Sequence, residues 1–457
     1  MRKSALSPKE AIEKVEKSGA SKVKVAITDI DGVLRGKYIN TSKFLSGISS
    51  GLGFCNVVFG WDAGDVCYDN TRYTGWHTGY PDAEVHLDPA THREVPWDGN
   101  VPFFLGDFWR ADGEALEVCP RQLLRKVVER LAAAGYEALS SLEYEFFTFR
   151  ESPQSLAEKG YARPDPLSPG MFGYSVVRLA QNRPFVNALF DEMNAFRVPI
   201  EGFHTETGPG VFEAAILYTD PVEAADRATL FKTGAKEIGS RFGVMPSFMA
   251  KWNADLPGCS GHIHQSLWDR QLARNLFHED GDPQHMSQLF KHYVAGQLHC
   301  LPEILPFFAP TVNSYKRLVE GAWAPVRANW GIDNRTTALR VIPGSNKSTR
   351  LETRVSGADA NPYLALAAAL ASGLYGIERQ LPLPSDPRVG NGYDDRTSPA
   401  FPRNLQEATA RLERSEVARE LFGAPFVEHF VASRQWEWRQ FSKAVTSWEM
   451  ARYFEII

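Results

Sequence analysis

Glu143-Tyr-Glu145 sets two carboxylates at i and i+2, and on a strand such side chains share a face. Beside the apolar Phe146-Phe147 they are costly to bury unless they face a cation. Alone, the same pair is what an ordinary solvated strand face carries. A second cluster runs from Gly202-Phe-His-Thr-Glu206 to Glu213, and the intervening Thr207-Gly-Pro-Gly210 turns the chain back so that the two carboxylates converge from flanking strands. Gly258-Cys-Ser-Gly-His262-Ile-His264-Gln-Ser266 reads as a Gly-rich turn entering a strand that presents two imidazoles on one face. Arg350-Leu-Glu352-Thr-Arg354 is another i, i+2 set, of opposite charges, and by itself is also the pattern of a cross-strand ion pair.

Together these motifs hold Glu143, Glu145, Glu206, Glu213, Glu352 and His262 in strand-like contexts, interleaved with Arg317, Arg335, Arg340, Arg350 and Arg354. A donor set dominated by oxygen with one imidazole suits hard divalent ions, Mg²⁺ or Mn²⁺, better than zinc. Two such ions among arginines describe a phosphoryl-transfer site, where metals and guanidinia neutralise the charge on the transferring γ-phosphate. No G-x-x-x-x-G-K-[ST] loop and no kinase H-R-D or D-F-G set occurs, so an ATP enzyme built from these residues belongs to another class.

The elements that must position these residues follow from patterning. Ser7-Pro8 starts a first helix as N-cap and first helical residue. The β-branched alternation over 22–30 predicts a strand, and Asp31-Gly32 turns it into a hairpin. A loop rich in Gly, Asp and aromatics covers 51–80, and short strands interrupted by Pro and Gly fill 82–102. After the polar turn at 110–113 the pattern changes to helices over 121–134, 183–196, 221–242, 285–300 and 404–422 onward. Strands are expected over 136–150, 198–203, 210–217, 244–250, 261–268, 336–342 and 349–355. Strands grouped with helices without strict alternation indicate an α+β fold with domains 1–110 and 111–457. The uncharged, Ala-rich stretch 360–377 reads as a buried core helix rather than a membrane span, and 386–403 as a surface loop. A net charge of -5 from 50 Lys+Arg and 55 Asp+Glu argues against nucleic acid or an anionic membrane as partner. Five cysteines without a C-x-x-C pair, and an N-terminus with basic residues but no apolar core, fit a reducing, cytoplasmic setting.

The ordered set of these motifs, with Asn313-Ser-Tyr-Lys-Arg317, Asn334-Arg335 and Asn361-Pro-Tyr363, resembles the glutamine synthetase family from about Asp29 to Gly376. The resemblance implies a small β-grasp-like N-terminal domain and a large catalytic domain whose curved antiparallel sheet is flanked by helices. It assigns Glu145, Glu206 and Glu213 to one metal and Glu143, His262 and Glu352 to another. Arg317, Arg354 and Gly258 go to the glutamate substrate, and His264, Ser266, Arg335, Arg340, Lys347 and Arg350 to ATP, with Arg335 also catalytic. The implied reaction passes the γ-phosphate of ATP to the glutamate side chain, and a nitrogen nucleophile then displaces phosphate. Family members assemble as rings, so the resemblance implies a homo-oligomer, a dodecamer of two stacked hexamers with active sites between subunits.

The sequence departs from the family where nitrogen is bound. Ammonia-using members carry a flap Glu at the position of Trp323, and an Asn at the position of Pro257. An indole cannot take a proton from ammonium but packs against an alkyl or aryl group and weakly attracts a cation. Similar replacements occur in γ-glutamyl-polyamine and γ-glutamyl-monoamine synthetases, so the resemblance implies ligation of an organic amine. The alternatives are an ammonia-using glutamine synthetase and a non-catalytic relative, the latter disfavoured by the intact metal set. The amine-side base is assigned to Asp62, with Asp65 as the alternative alignment; Asp65 and Asp69 could instead meet the distal charge of a polyamine. Tyr393 lies near a tyrosine that is regulatory in some bacterial members, but its surroundings differ and it reads as a loop residue.

Overall fold

The computed structural model describes residues 6–457. The opening helix Pro8–Ser18 is capped as its sequence dictates: Ser7 and Glu10 form a reciprocal capping box, and Gly19 ends the helix in the left-handed region. Strands Lys22–Thr28 and Leu34–Asn40 pair antiparallel across the Asp31-Gly32 turn, and Gly32 supplies the φ of +79° that the turn requires. The N-terminal sheet runs in the order Leu34–Asn40, Lys22–Thr28, Val101–Trp109, Asp82–Leu87, Leu52–Cys55, with Arg93–Val95 on Val101–Trp109. Its central pair, Lys22–Thr28 and Val101–Trp109, is parallel.

The larger sheet carries the chemistry. Its order is Trp330–Ile332, Leu339–Ile342, Arg350–Thr353, Gly261–Trp268, Glu137–Phe149, Val211–Ile216, Ile200–Thr205, with Met245–Ser247 also on Glu137–Phe149. All neighbours are antiparallel except Trp330–Ile332 and Leu339–Ile342. In Glu137–Phe149 alternate residues Leu142, Tyr144 and Phe146 are buried in the core, together with Phe212, Ala214, Ile263 and Leu351 from its neighbours. The opposite face is left for polar side chains.

The uncharged stretch forms the helix Pro362–Glu378, buried at every residue from Pro362 through Gly376. It packs against Gln288–Cys300 at very short range: a Cβ on Gly296 would lie 2.3 Å from Ser372 O, and one on Gly376 2.1 Å from His292 O. Small residues are needed for helix contact, which accounts for a composition that superficially resembles a membrane span. Among the described residues no helix is long and apolar enough to cross a membrane.

Several elements differ from expectation. The helices Pro153–Glu158 and Val176–Gln181 and the strand Trp330–Ile332 are additional. The strand expected from 336 begins at Leu339, because Asn334 Oδ1 accepts from the Thr336 backbone N–H at 3.0 Å and closes a turn there. The segment 386–403 is not free: Asp395 is buried and Tyr393 Oη donates to Ala324 O at 3.2 Å.

Candidate active site

Strand register assembles the site. Glu143 stands opposite His262, Glu145 opposite Glu213, His204 opposite Glu213, and Glu352 opposite both His264 and Arg340. Six strands therefore contribute to one face through i, i+2 spacing. The result is a cleft of about 700 Å³ lined by five carboxylates, Glu143, Glu145, Glu206, Glu213 and Glu352, and five guanidinia, from Arg317, Arg335, Arg340, Arg350 and Arg354. Gly258, His262, His264 and Trp323 also line it. A second cavity of about 350 Å³ holds Ser266, Lys347 and Ser348 and shares Glu143, His264 and Arg350 with the first.

Within the cleft, two groups have ligand atoms within 4.8 Å of one another: Glu143, His262 and Glu352, and His204, Glu206 and Glu213. The first matches one expected trio. The second contains His204 where Glu145 was expected. Glu145 remains across the register from Glu213, and its Oε2 accepts from the N–H and Oγ of Ser260, both at 2.6 Å. His204 stands two residues before Glu206 on the same strand face, so the i, i+2 rule was the signal that could have found it. Tyr174, which stacks on His204 with ring centres 4.2 Å apart, comes from a separate loop and has no such signal.

The electrostatics call for cations. Burial, then the charges of Glu143, Glu145, Glu206 and Glu352, push Glu213 up to about 10. Burial also opposes ionisation of Glu143, but the hydrogen bond with His262 and the nearby His264 hold it down at about 2. Glu352 is likewise held low against burial, chiefly by Arg354, with which it forms an ion pair; Arg340 Nη1 binds its other oxygen at 2.8 Å. His262 Nδ1 lies 3.4 Å from both Glu143 and Glu352, while its Nε2 is buried and unpartnered. An oxygen-rich donor set with an orphaned imidazole nitrogen and a carboxyl group whose proton is held by burial and facing carboxylates fits hard divalent ions.

The remaining expected residues divide between the cavities. Arg350 Nε donates to His264 Nδ1 at 3.3 Å, which leaves the His264 proton on Nε2, buried and without a hydrogen-bond partner. Arg317 is buried and anchored by Val355 O at 2.9 Å and Arg354 O at 3.1 Å. Gly258 is required against it, since a Cβ there would lie 2.5 Å from Ala250 O and 2.9 Å from Arg317 Cγ. Arg335 and Trp323 stand at the cleft mouth, Trp323 60% exposed with φ +57°. Arg340 is committed to Glu352 and Asp333.

Asp62 does not line the cleft of its own chain. Its Oδ1 accepts from the N–H groups of Gly64 at 2.9 Å and Val66 at 3.0 Å, and its Oδ2 from Trp436 Nε1 at 2.8 Å. Asp65 instead pairs with Arg35 at 2.8 Å, and Asp69 with Arg439.

Comparison with known proteins agrees with this geometry. Residues 117–453 match the glutamine synthetase catalytic domain model. The chain is 52% identical over 438 residues to type-1 glutamine synthetase 2 of Dictyostelium discoideum, covering 95% of this chain and 84% of the relative. It is 36% identical over 448 residues to glutamate–isopropylamine ligase of a Pseudomonas species, covering 97% of each. Among solved structures, a GmaS/ADP complex superposes with a TM-score of 0.84 at 28% identity, covering 97% of this chain and 99% of the other. The register-built site and these matches establish that the chain belongs to the glutamine synthetase family.

Proposed function

We propose that this protein is an ATP-dependent glutamate–amine ligase that joins the glutamate γ-carboxylate to an organic amine through γ-glutamyl phosphate, releasing ADP and phosphate. The observation that carries the amine reading is Trp323, an exposed indole at the mouth of a cleft otherwise equipped for phosphoryl transfer. Similarity to glutamate–isopropylamine ligase supports it.

ATP would occupy the smaller cavity, against His264, Ser266, Lys347 and Arg350, with its γ-phosphate at the boundary formed by Glu143, His264 and Arg350. That the GmaS structure is an ADP complex supports a nucleotide site in this fold. Two or more Mg²⁺ or Mn²⁺ ions would be held by Glu143, His262 and Glu352 and by Glu145, Glu206 and Glu213 with His204, and would neutralise phosphate and carboxylate charge. Arg317 and Arg354 would hold L-glutamate, whose γ-carboxylate attacks the γ-phosphate; Arg335 and Arg340 would offset the charge that develops. The amine nitrogen then attacks the acyl carbon and phosphate leaves. An alkylammonium resembles Lys, so freeing its nitrogen at neutral pH costs roughly 4.6 kcal/mol, and a carboxylate must take the proton. Asp62, or Asp65, would provide it across a subunit boundary, the N-terminal domain 1–110 completing a neighbour's catalytic domain 111–457. The assembly would be a cytoplasmic homo-oligomer, a dodecamer of two stacked hexamers.

The 52% identity to a protein named glutamine synthetase favours ammonia as the second reading. Phosphate release with ATP, Mg²⁺ and glutamate, compared between ammonia and a panel of alkyl-, aryl- and polyamines, separates the two. An amine should give the highest kcat/KM, and ammonia as the best nucleophile would overturn the proposal.

A further inference from the structure

Away from the cleft, a hairpin-like excursion between the strand Gly261–Trp268 and the helix Gln288–Cys300 carries His278, Asp280 and His285, with ligand atoms within 4.8 Å of one another. Bonds around it fix its shape. Asp282 Oδ1 accepts from the N–H of Gln284 at 2.9 Å and of Met286 at 3.2 Å, Ser287 N–H donates to Phe277 O at 2.9 Å, and His285 is held at φ +54°.

The protons of His278 can be followed. Thr349 Oγ1 donates to Ser345 O at 3.1 Å, so toward His278 Nδ1, 3.1 Å away, it is the acceptor and Nδ1 carries the proton. The lone pair of a neutral Nε2 then faces Asp280 Oδ1 at 2.9 Å. Two acceptors at that distance require a proton or a cation between them. The His278 side chain is only 9% exposed, whereas Asp280 is 93% exposed, so an imidazolium paired with it would gain little from so solvated a partner. The His285 ring lies 5.7 Å from that of His278 at 14° and offers a further nitrogen. Two imidazoles and one carboxylate, with a hydroxyl fixing the buried ligand's tautomer, are the donors of a zinc site with an open fourth position, unlike the oxygen-rich cleft.

We propose that His278, Asp280 and His285 bind one Zn²⁺ per chain, and that the ion stiffens the wall of the nucleotide cavity. The mechanical link is short. Thr349 lines that cavity with Lys347 and Ser348, and Asn275 on the same excursion donates to Thr349 O at 2.7 Å and through its N–H to Asn346 Oδ1 at 3.0 Å. The ion count does not depend on which nitrogen nucleophile the cleft uses.

The test compares the full-length protein with Asp280→Asn and His285→Ala, both at exposed positions where folding is not at stake. Metal-stripped samples are equilibrated with Zn²⁺ in excess Mg²⁺, freed of loose ion and counted by elemental analysis. Cleft binding is common to all three and cancels. The wild type should retain one more Zn²⁺ per chain than either variant, and Co²⁺ substituted for it should give tetrahedral d–d absorption that the variants lack. Equal zinc counts would overturn the site and leave a proton-bridged His278–Asp280 pair only. With zinc bound, the wild-type KM for ATP should move roughly threefold or more while that of the variants stays fixed; an unmoved wild-type KM would overturn the link to the nucleotide cavity.

Discussion

Glu213 reports the cation demand of the site. Its proton affinity is raised from an ordinary 4.5 to about 10 by burial and by four facing carboxylates. For a group raised in this direction, the stabilisation is fully present below the unfolded value and is lost as pH climbs through the folded one. The metal-free protein should therefore lose melting temperature from Glu213 between about pH 5 and pH 9. Glu213→Gln should flatten that part of the slope and shrink the melting shift given by Mg²⁺; parallel wild-type and variant profiles would contradict this origin. Gly258 acts by what it lacks: Gly258→Ala must displace Arg317 or the Ala250 carbonyl. Initial-rate kinetics should show the KM for glutamate rising roughly tenfold while the KM for ATP holds. Apart from His204, the site carboxylates and imidazoles were legible in the sequence because period-two spacing on a strand fixes the face. Tyr174 was not, because only tertiary folding brings its loop onto His204.

At the scale of elements, the strands behind the site are held by a closed buried network. Gln265 Nε2 donates to Thr353 Oγ1 at 2.9 Å, Thr353 Oγ1 to Gln297 Oε1 at 2.8 Å, and Gln297 Nε2 and Tyr293 Oη to Gln265 Oε1 at 2.7 and 2.8 Å. Gln265 lies between His264 and Ser266, and Thr353 between Glu352 and Arg354, so the network fixes both ligand strands from below. Gln297→Leu should cost about 2 kcal/mol, because Thr353 and Gln265 lose buried partners. Thermal and denaturant melts should show this, and an unchanged midpoint would mean that the network adapts. Sequence patterning found the long strand Glu137–Phe149 nearly to its ends, since alternation over many residues is a strong signal. It missed Pro153–Glu158 and Val176–Gln181, which are under two turns long and rest on their Ser152 and Ser175 caps. Trp330–Ile332 was invisible because its three residues become a strand only through the distant partner Leu339–Ile342.

For the whole molecule, the net charge of -5 conceals a cleft in which five arginines face five glutamates, which overall composition could not reveal. Trp448 in the helix Ser447–Tyr453 and Phe454, Ile456 and Ile457 after it are 60%, 79%, 84% and 94% exposed. In the proposed assembly these side chains would be covered by a neighbouring subunit. With the proposed assembly, removal of residues 447–457 should lower the mass measured by light scattering, and an unchanged mass would place subunit contacts elsewhere. The Ala-rich helix Pro362–Glu378 shows how scale changes meaning: uncharged in sequence, it is a buried core helix packed on Gln288–Cys300, whose Gln297 bonds both Ala369 O and Thr353 Oγ1.

The amine reading is tested most directly by competition. Wild type and Trp323→Glu are supplied with glutamate, ATP and Mg²⁺ and with ammonia and isopropylamine at equal concentration, and the products are weighed by mass spectrometry. Wild type should form the γ-glutamyl amide in excess over glutamine, and Trp323→Glu should shift the ratio toward glutamine by roughly tenfold or more. Glutamine as the main wild-type product, with a ratio that the substitution leaves unmoved, would contradict it.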